Sequence, residues 1–212
     1  MRKPLVIKET LFGNSMSREI VTPMIVEAWQ AGREIEEILF LLQNTYCLAF
    51  VFDNMFILKE AGLYERALLC AWTGTRTNYA NWSLGVLDYL FQFADPEMLR
   101  TAGDPIPDAS TFTLYRGVSG RGPARRVNGI SWTESPNVAA WFANRFKELG
   151  DPAVFRVTVS RDQVMACCNE REESEYLLRL PLPVKPKRVL PMPDPEVRHF
   201  EDALRKMQAK QS

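Results

Sequence analysis

Through the first hundred residues, apolar side chains recur three and four positions apart. Ile35, Ile38, Leu39, Leu42 and Tyr46 keep that spacing, which gathers them on one face of a helix. Upstream, Thr22 followed by Pro23 reads as a capping residue with proline at the first helical position, and Gly32 reads as the stop. Asp53 or Asn54 is expected to cap the next helical segment, which Gly62 ends. Residues 63–72 follow, closed by Gly74, and residues 81–93 run up to Asp95-Pro96. The pattern predicts four or five short helices, with Trp29, Phe40, Tyr46, Phe50, Phe52 and Phe56 as core. Tyr79 and Trp82 join that core, or face a cleft if one is formed.

Near residue 103 the pattern changes. Residues 103–108 combine Gly, Asp and Pro into a turn-rich linker. Alternation then takes over at 111–115 and, more clearly, at 153–159, where Val154, Phe155, Val157 and Val159 are apolar. Residues 164–166, 176–180 and 188–190 read as further strands. Residues 136–149 read as one helix with Ala139, Ala140, Phe142, Ala143 and Phe146 inward. Six of the 14 prolines fall between Pro181 and Pro195, which predicts a stiff, extended strap before a last exposed helix. The fold class expected is α+β: a helical part over 1–103, a β core over 104–194 and a C-terminal helix over 195–212.

Composition narrows the chemistry more than the fold. A chain of 212 residues with 46% hydrophobic and 25% charged side chains belongs with ordinary globular proteins. Its 26 basic and 26 acidic residues cancel, but residues 1–110 carry −5 and residues 111–212 carry +5. The basic half suits a phosphate-bearing ligand, and the excess is too small to argue for nucleic-acid binding. A single histidine, His199, rules out a His pair and any two-His zinc site, so acid–base work falls to carboxylates. Cys47, Cys70, Cys167 and Cys168 form no C-x-x-C pair and read as reduced thiols in a cytoplasmic protein. The basic start lacks a following apolar run, so no signal peptide is expected. The apolar stretch 38–52 is broken by Gln43, Asn44 and Thr45 and reads as a buried helix rather than a span.

Three short segments of the second half carry candidate chemistry. Tyr115-Arg116-Gly117 ends a predicted strand. Ser131-Trp132-Thr133 leads into the helix holding Phe142-Ala143. Glu173-Ser174-Glu175 enters the apolar run Tyr176-Leu177-Leu178. Singly, these are a common dipeptide, a helix cap and a solvated acidic loop. In this order they resemble the mono-ADP-ribosyltransferases of the R-S-E type, the class that includes cholera-toxin-like and clostridial binary toxins and phage T-even modifying enzymes. That family has an aromatic-Arg at a strand end, a Ser-Thr-Ser strand before a helix with a Phe-Ala pair, and Glu-x-Glu before an apolar strand. The resemblance covers roughly residues 111–180. Two features depart from it: Trp132 stands where the family usually has Thr, and only 15 positions separate Arg116 from Ser131. The sister class with a His in its first motif does not fit, because His199 follows all three segments.

The resemblance implies a split β-sandwich, NAD as substrate and no metal. It makes Glu175 the catalytic carboxylate, stabilising positive charge that builds at the ribose C1′ as the nicotinamide bond breaks. Arg116 supplies a planar cation for phosphate oxygens, and Gly117 a close backbone approach to the nicotinamide amide. Tyr115, Ser131 and Thr133 complete the implied NAD site, with Ser131 bracing Glu175. Glu173, expected on the same side of an extended segment as Glu175, implies arginine of a target protein as acceptor. Trp132 either stacks on nicotinamide or fills the core. The loop with Arg121, Arg125 and Arg126 either contacts the pyrophosphate or is an exposed basic turn. No membrane partner is expected, and a nucleic-acid acceptor stays open. The alternatives are an NAD glycohydrolase using the same Glu175, and a non-catalytic interaction protein keeping the fold.

Overall fold

The computed structural model describes residues 2–12, 18–74, 82–145, 147–169 and 173–196. The chain is mixed α+β and divides into two compact units, Met1–Asp108 with Met165–Glu170, and Ala109–Val164 with Arg171–Ser212.

The described helices of the first unit are α1 (Arg18–Gln30), α2 (Ile35–Phe40), α3 (Cys47–Glu60), α4 (Tyr64–Gly74), α5 (Leu84–Phe93) and α6 (Pro96–Ala102). Helix α1 starts four residues before Thr22, so Pro23 lies inside it rather than at its first position. Val21, Ile25 and Trp29, each four apart, are buried, and that stripe carries the helix upstream past the proline. The expected stop holds: Gly32 has φ +74 and its N–H reaches the Trp29 carbonyl at 3.2 Å.

Asn54 does not cap a helix. Helix α3 runs straight through Asp53-Asn54, and the buried Asn54 amide clamps an incoming strand of chain. Its Oδ1 accepts from the Val6 N–H at 2.7 Å, and its Nδ2 donates to the Val6 and Phe50 carbonyls at 2.9 Å each. The side chain thereby stands in for a backbone partner to both polar groups of Val6. Asp95, by contrast, is a true cap. Its carboxylate accepts from the Glu97 and Met98 N–H groups at 2.9 and 3.0 Å and starts α6, a helix the apolar spacing did not reveal. Those N–H bonds, Met98 first, hold the Asp95 carboxyl below its ordinary range.

The expected aromatic core is only partly a core. Trp29 and Phe50 are buried, Tyr46 is half-buried, but Phe40, Phe56 and Phe52 are 88%, 68% and 39% exposed. The inward stripe of α3 is Cys47, Val51, Met55 and Leu58, with Asn54 beside it. Phe52 and Phe56 lie four apart on another face, where they meet the Trp82 and Phe93 rings edge-on at 6.0 and 5.3 Å. Tyr79 lies outside the described residues.

The second unit holds β1 (Thr111–Val118), β2 (Ser131–Thr133), α7 (Pro136–Arg145) and β3 (Ala153–Ser160). With β5 (Glu175–Leu178), β6 (Lys187–Arg188) and β4 (Val164–Cys168), whose Met165–Cys168 counts with the first unit, the strands form one open sheet in the order β4-β5-β2-β1-β3-β6. The second sheet that a split β-sandwich calls for is not among the described elements. Strands β1 and β3 pair along their whole length, from Thr111 opposite Ser160 to Val118 opposite Ala153. Ala139, Ala140 and Ala143 of α7 form a buried cluster with Val154, against which Tyr115 and Val189 pack. Trp141 takes the inward place expected of Phe142, which is half-buried, and the helix ends at Arg145 before a separate 3-10 turn, Lys147–Leu149. Phe146 is not described. The proline-rich strap is largely exposed, with β6 as its paired segment. The expected terminal helix and His199 lie outside the described residues.

All four cysteines are free thiols. Burial, with the nearby Cys70 adding to it, pushes the Cys47 thiol up to about 12, so it stays protonated at neutral pH. Among the described residues no helix is long and apolar enough to cross a membrane.

Candidate functional site

The three singled-out segments meet at β2. Strand β2 pairs with β5 along its length: Ser131 opposite Leu177, Trp132 opposite Tyr176 and Thr133 opposite Glu175. On its other side β2 meets β1 at one register position, Tyr115 opposite Thr133. Side chains alternate across a sheet, so Tyr115, Ser131, Thr133 and Glu175 share one face, while Arg116, Trp132 and Tyr176 start from the other.

Arg116 leaves its own face by its length. Its Nη1 donates to the Ser131 carbonyl at 2.5 Å and its Nε to the Arg126 carbonyl at 3.5 Å. A side chain thus occupies the edge of β2 where a continued ladder would put a backbone donor. Gly129 lies under the guanidinium, and a Cβ there would sit 2.5 Å from Arg116 Cζ. Burial pulls the Arg116 guanidinium down to about 10; Glu175 acts against that shift and Arg126 adds to it. The group is still a cation at neutral pH. It is coupled electrostatically to Glu175 although the two side chains start from opposite faces.

Glu173 and Glu175 are equally sheltered, each 6% exposed. They do not sit two apart on an extended segment. Ser174 between them has φ +44, in the left-handed region that costs a non-glycine residue, and only Glu175 belongs to the strand. Glu173 lies in the preceding turn. Its carbonyl accepts from the Thr133 hydroxyl at 2.7 Å, and the Ser174 carbonyl accepts from the Glu134 N–H at 3.4 Å.

Several residues expected to contact NAD have other duties here. Thr133 is buried, and besides donating to Glu173 its hydroxyl accepts from the Ser135 N–H at 3.1 Å. Tyr115 packs on the alanines of α7. A Cβ on Gly117 would fall onto the Ala139 carbonyl and lie 2.6 Å from the Ala143 nitrogen, so this glycine permits helix-to-strand contact. Trp132 is 1% exposed and donates its Nε1 hydrogen to the Gly129 carbonyl at 2.7 Å, which makes it core. In the basic loop, Arg125 is spent on the Gly120 and Asp151 carbonyls at 3.1 and 3.0 Å. Arg126 is exposed, with φ +39.

The sequence placed Gly129 at the head of the segment with Ser131 but gave it no role under Arg116, and it did not point to Glu134. The first had a readable signal, a glycine just before an apolar-polar strand; the second had none until the turn at Ser174 brought it close. Tyr176 adds a further contact, its hydroxyl donating to Glu134 Oε2 at 2.9 Å. Chemically, the arrangement offers a fixed cation for an anionic ligand and two sheltered carboxylates held differently, one by the sheet and one by a turn. Among the described residues no group of three His, Cys, Asp or Glu side chains is arranged to hold a metal ion. Comparison with protein-family models, with curated proteins and with solved structures finds no match.

Proposed function

We propose that the protein is an NAD-dependent mono-ADP-ribosyltransferase acting on arginine. The observation that carries the reading is the meeting at β2 of Arg116, Ser131 and Glu175, with Glu173 one turn away. Arg116 binds the phosphates of NAD as a permanent planar cation. Glu175 is the carboxylate assigned to stabilising the positive charge that develops on the ribose. The C1′–nitrogen bond breaks, its electron pair stays with nicotinamide, and nicotinamide leaves neutral. A guanidinium nitrogen of the acceptor then bonds to C1′ and gives up one proton, which Glu173 takes and passes to solvent.

Hydrolysis of NAD is the second reading, and one feature favours it. Glu173, the carboxylate an arginine acceptor would draw on, lies before the strand that holds Glu175, and water attack needs only Glu175. Incubation with adenylate-labelled NAD and agmatine, a small guanidine, separates the two. Labelled ADP-ribosyl-agmatine is the expected product. Free ADP-ribose alone would leave a glycohydrolase, and intact NAD would sink both readings.

Gly129 gives a sharper probe of Arg116. Gly129→Ala places a methyl group where the guanidinium lies, and the flexible arginine gives way more readily than the strand. The expected result is a rise of about tenfold in KM for NAD, the size of one charge-assisted hydrogen bond, at nearly constant kcat. An unaltered KM would remove Arg116 from the binding site.

A further inference from the structure

The two glutamates are secured by different means, and that difference has a chemical consequence. Glu175 lies in β5, paired opposite Thr133, and ladder bonds fix its backbone. Glu173 lies before the strand, beyond a Ser174 with φ +44. The end of β2 latches that turn twice: Thr133 Oγ1 donates to the Glu173 carbonyl at 2.7 Å, and the Glu134 N–H donates to the Ser174 carbonyl at 3.4 Å. The first is the shorter and better formed of the two. The Thr133 hydroxyl is also tied to the start of α7, accepting from the Ser135 N–H at 3.1 Å. A strained turn returns to commoner backbone angles when its restraints are removed.

We infer that the Thr133 hydroxyl is a positioning group that decides whether an arginine or a water molecule takes the ADP-ribosyl group. The inference rests on the transferase reading above and deepens it. Cleavage of the nicotinamide bond draws on Arg116 and Glu175, whereas the two latch bonds end on the carbonyls of Glu173 and Ser174. Arginine attack draws also on Glu173, because a guanidinium is a nucleophile only after losing a proton. Water attack ends with the same new bond at C1′ and a proton released to solvent, and it needs far less orientation. Losing the Thr133 hydroxyl therefore loosens the hold on Glu173 while the backbone of Glu175 stays in the ladder. Of the NAD that is broken, a larger share of the ADP-ribose then goes to water.

The measurement is the ratio of ADP-ribosyl-agmatine to free ADP-ribose formed from labelled NAD by the full chain. Thr133→Val keeps the shape and loses the hydroxyl; Thr133→Ser keeps the hydroxyl. Displacing a reacting group by about 1 Å costs on the order of 10²-fold, so Thr133→Val is expected to lower the ratio at least about tenfold, and Thr133→Ser to restore most of it. Ser174→Pro tests the same turn without touching Thr133, since proline fixes φ near about −65° and cannot hold the left-handed bend; it also serves if Thr133→Val does not fold. Melting temperatures run alongside, because a purely structural threonine would lower stability and leave the ratio where it was. A wild-type ratio in a folded Thr133→Val or Ser174→Pro protein overturns the inference while the transferase reading stands. Wild-type protein that leaves NAD intact overturns both.

Discussion

Glu175→Gln is expected to lower NAD cleavage by about 10² to 10³, the usual effect of removing one well-placed electrostatic group from a reacting centre. The substitution is nearly isosteric and keeps an oxygen acceptor at a site only 6% exposed, so packing against Thr133 across the ladder is retained. What disappears is the negative charge, and with it the electrostatic support given to Arg116. Two readouts are needed: nicotinamide release, which should collapse, and thermal unfolding, which should stay close to wild type. Unchanged turnover would end the ADP-ribosyltransferase and glycohydrolase readings together, since both depend on this carboxylate.

Gly117→Ala is expected to act on the fold. The atoms a new Cβ would meet, the Ala139 carbonyl and the Ala143 nitrogen, belong to the backbone of α7 and have no rotamer to escape into. Helix α7 would have to lift from β1, opening the buried cluster of Ala139, Ala140, Ala143 and Val154. Overpacking costs about 1–3 kcal/mol and sometimes more; a rigid backbone neighbour puts this case at about 3 kcal/mol. For a chain of this size that amounts to a fall of roughly 10 °C in melting temperature. A glycine kept only for nicotinamide would behave in the opposite way, losing turnover at constant melting temperature. Calorimetry of the purified variant decides between the two roles.

How far the sequence reveals this molecule depends on the range of the interaction involved. Alternation and helical spacing are local, so the strand at 153–159 could be read directly. Which apolar face turns inward is not local. Phe52 and Phe56 satisfy a helical repeat as well as Val51 and Met55 do, and only tertiary packing chooses the second set. Asn54 carries the right chemistry for a cap but is claimed by Val6, 48 positions away. The same limit applies at the site. Motif order suggested that the three segments meet, and β2 joins them. Side-chain direction was another matter, because Ser174 at φ +44 breaks the two-residue rhythm and strict register starts Arg116 from the face opposite Glu175. Backbone angles of single residues leave no mark in composition or spacing.

The division into units has a bearing on inheritance. The first unit is not a continuous stretch of chain: it takes back Met165–Glu170 from within the second. Asp104 receives that excursion, pairing through its N–H with the Cys167 carbonyl at 2.8 Å and through its carboxylate with the Asn169 N–H at 2.5 Å. Gly103 makes room, since a Cβ there would lie 2.5 Å from the Cys167 carbonyl oxygen. A single crossover near residue 108 therefore cannot exchange one unit for a foreign counterpart. It would leave Asp104 facing another lineage's residues at 165–170. Recombination that replaces the first unit has to bring both of its pieces at once.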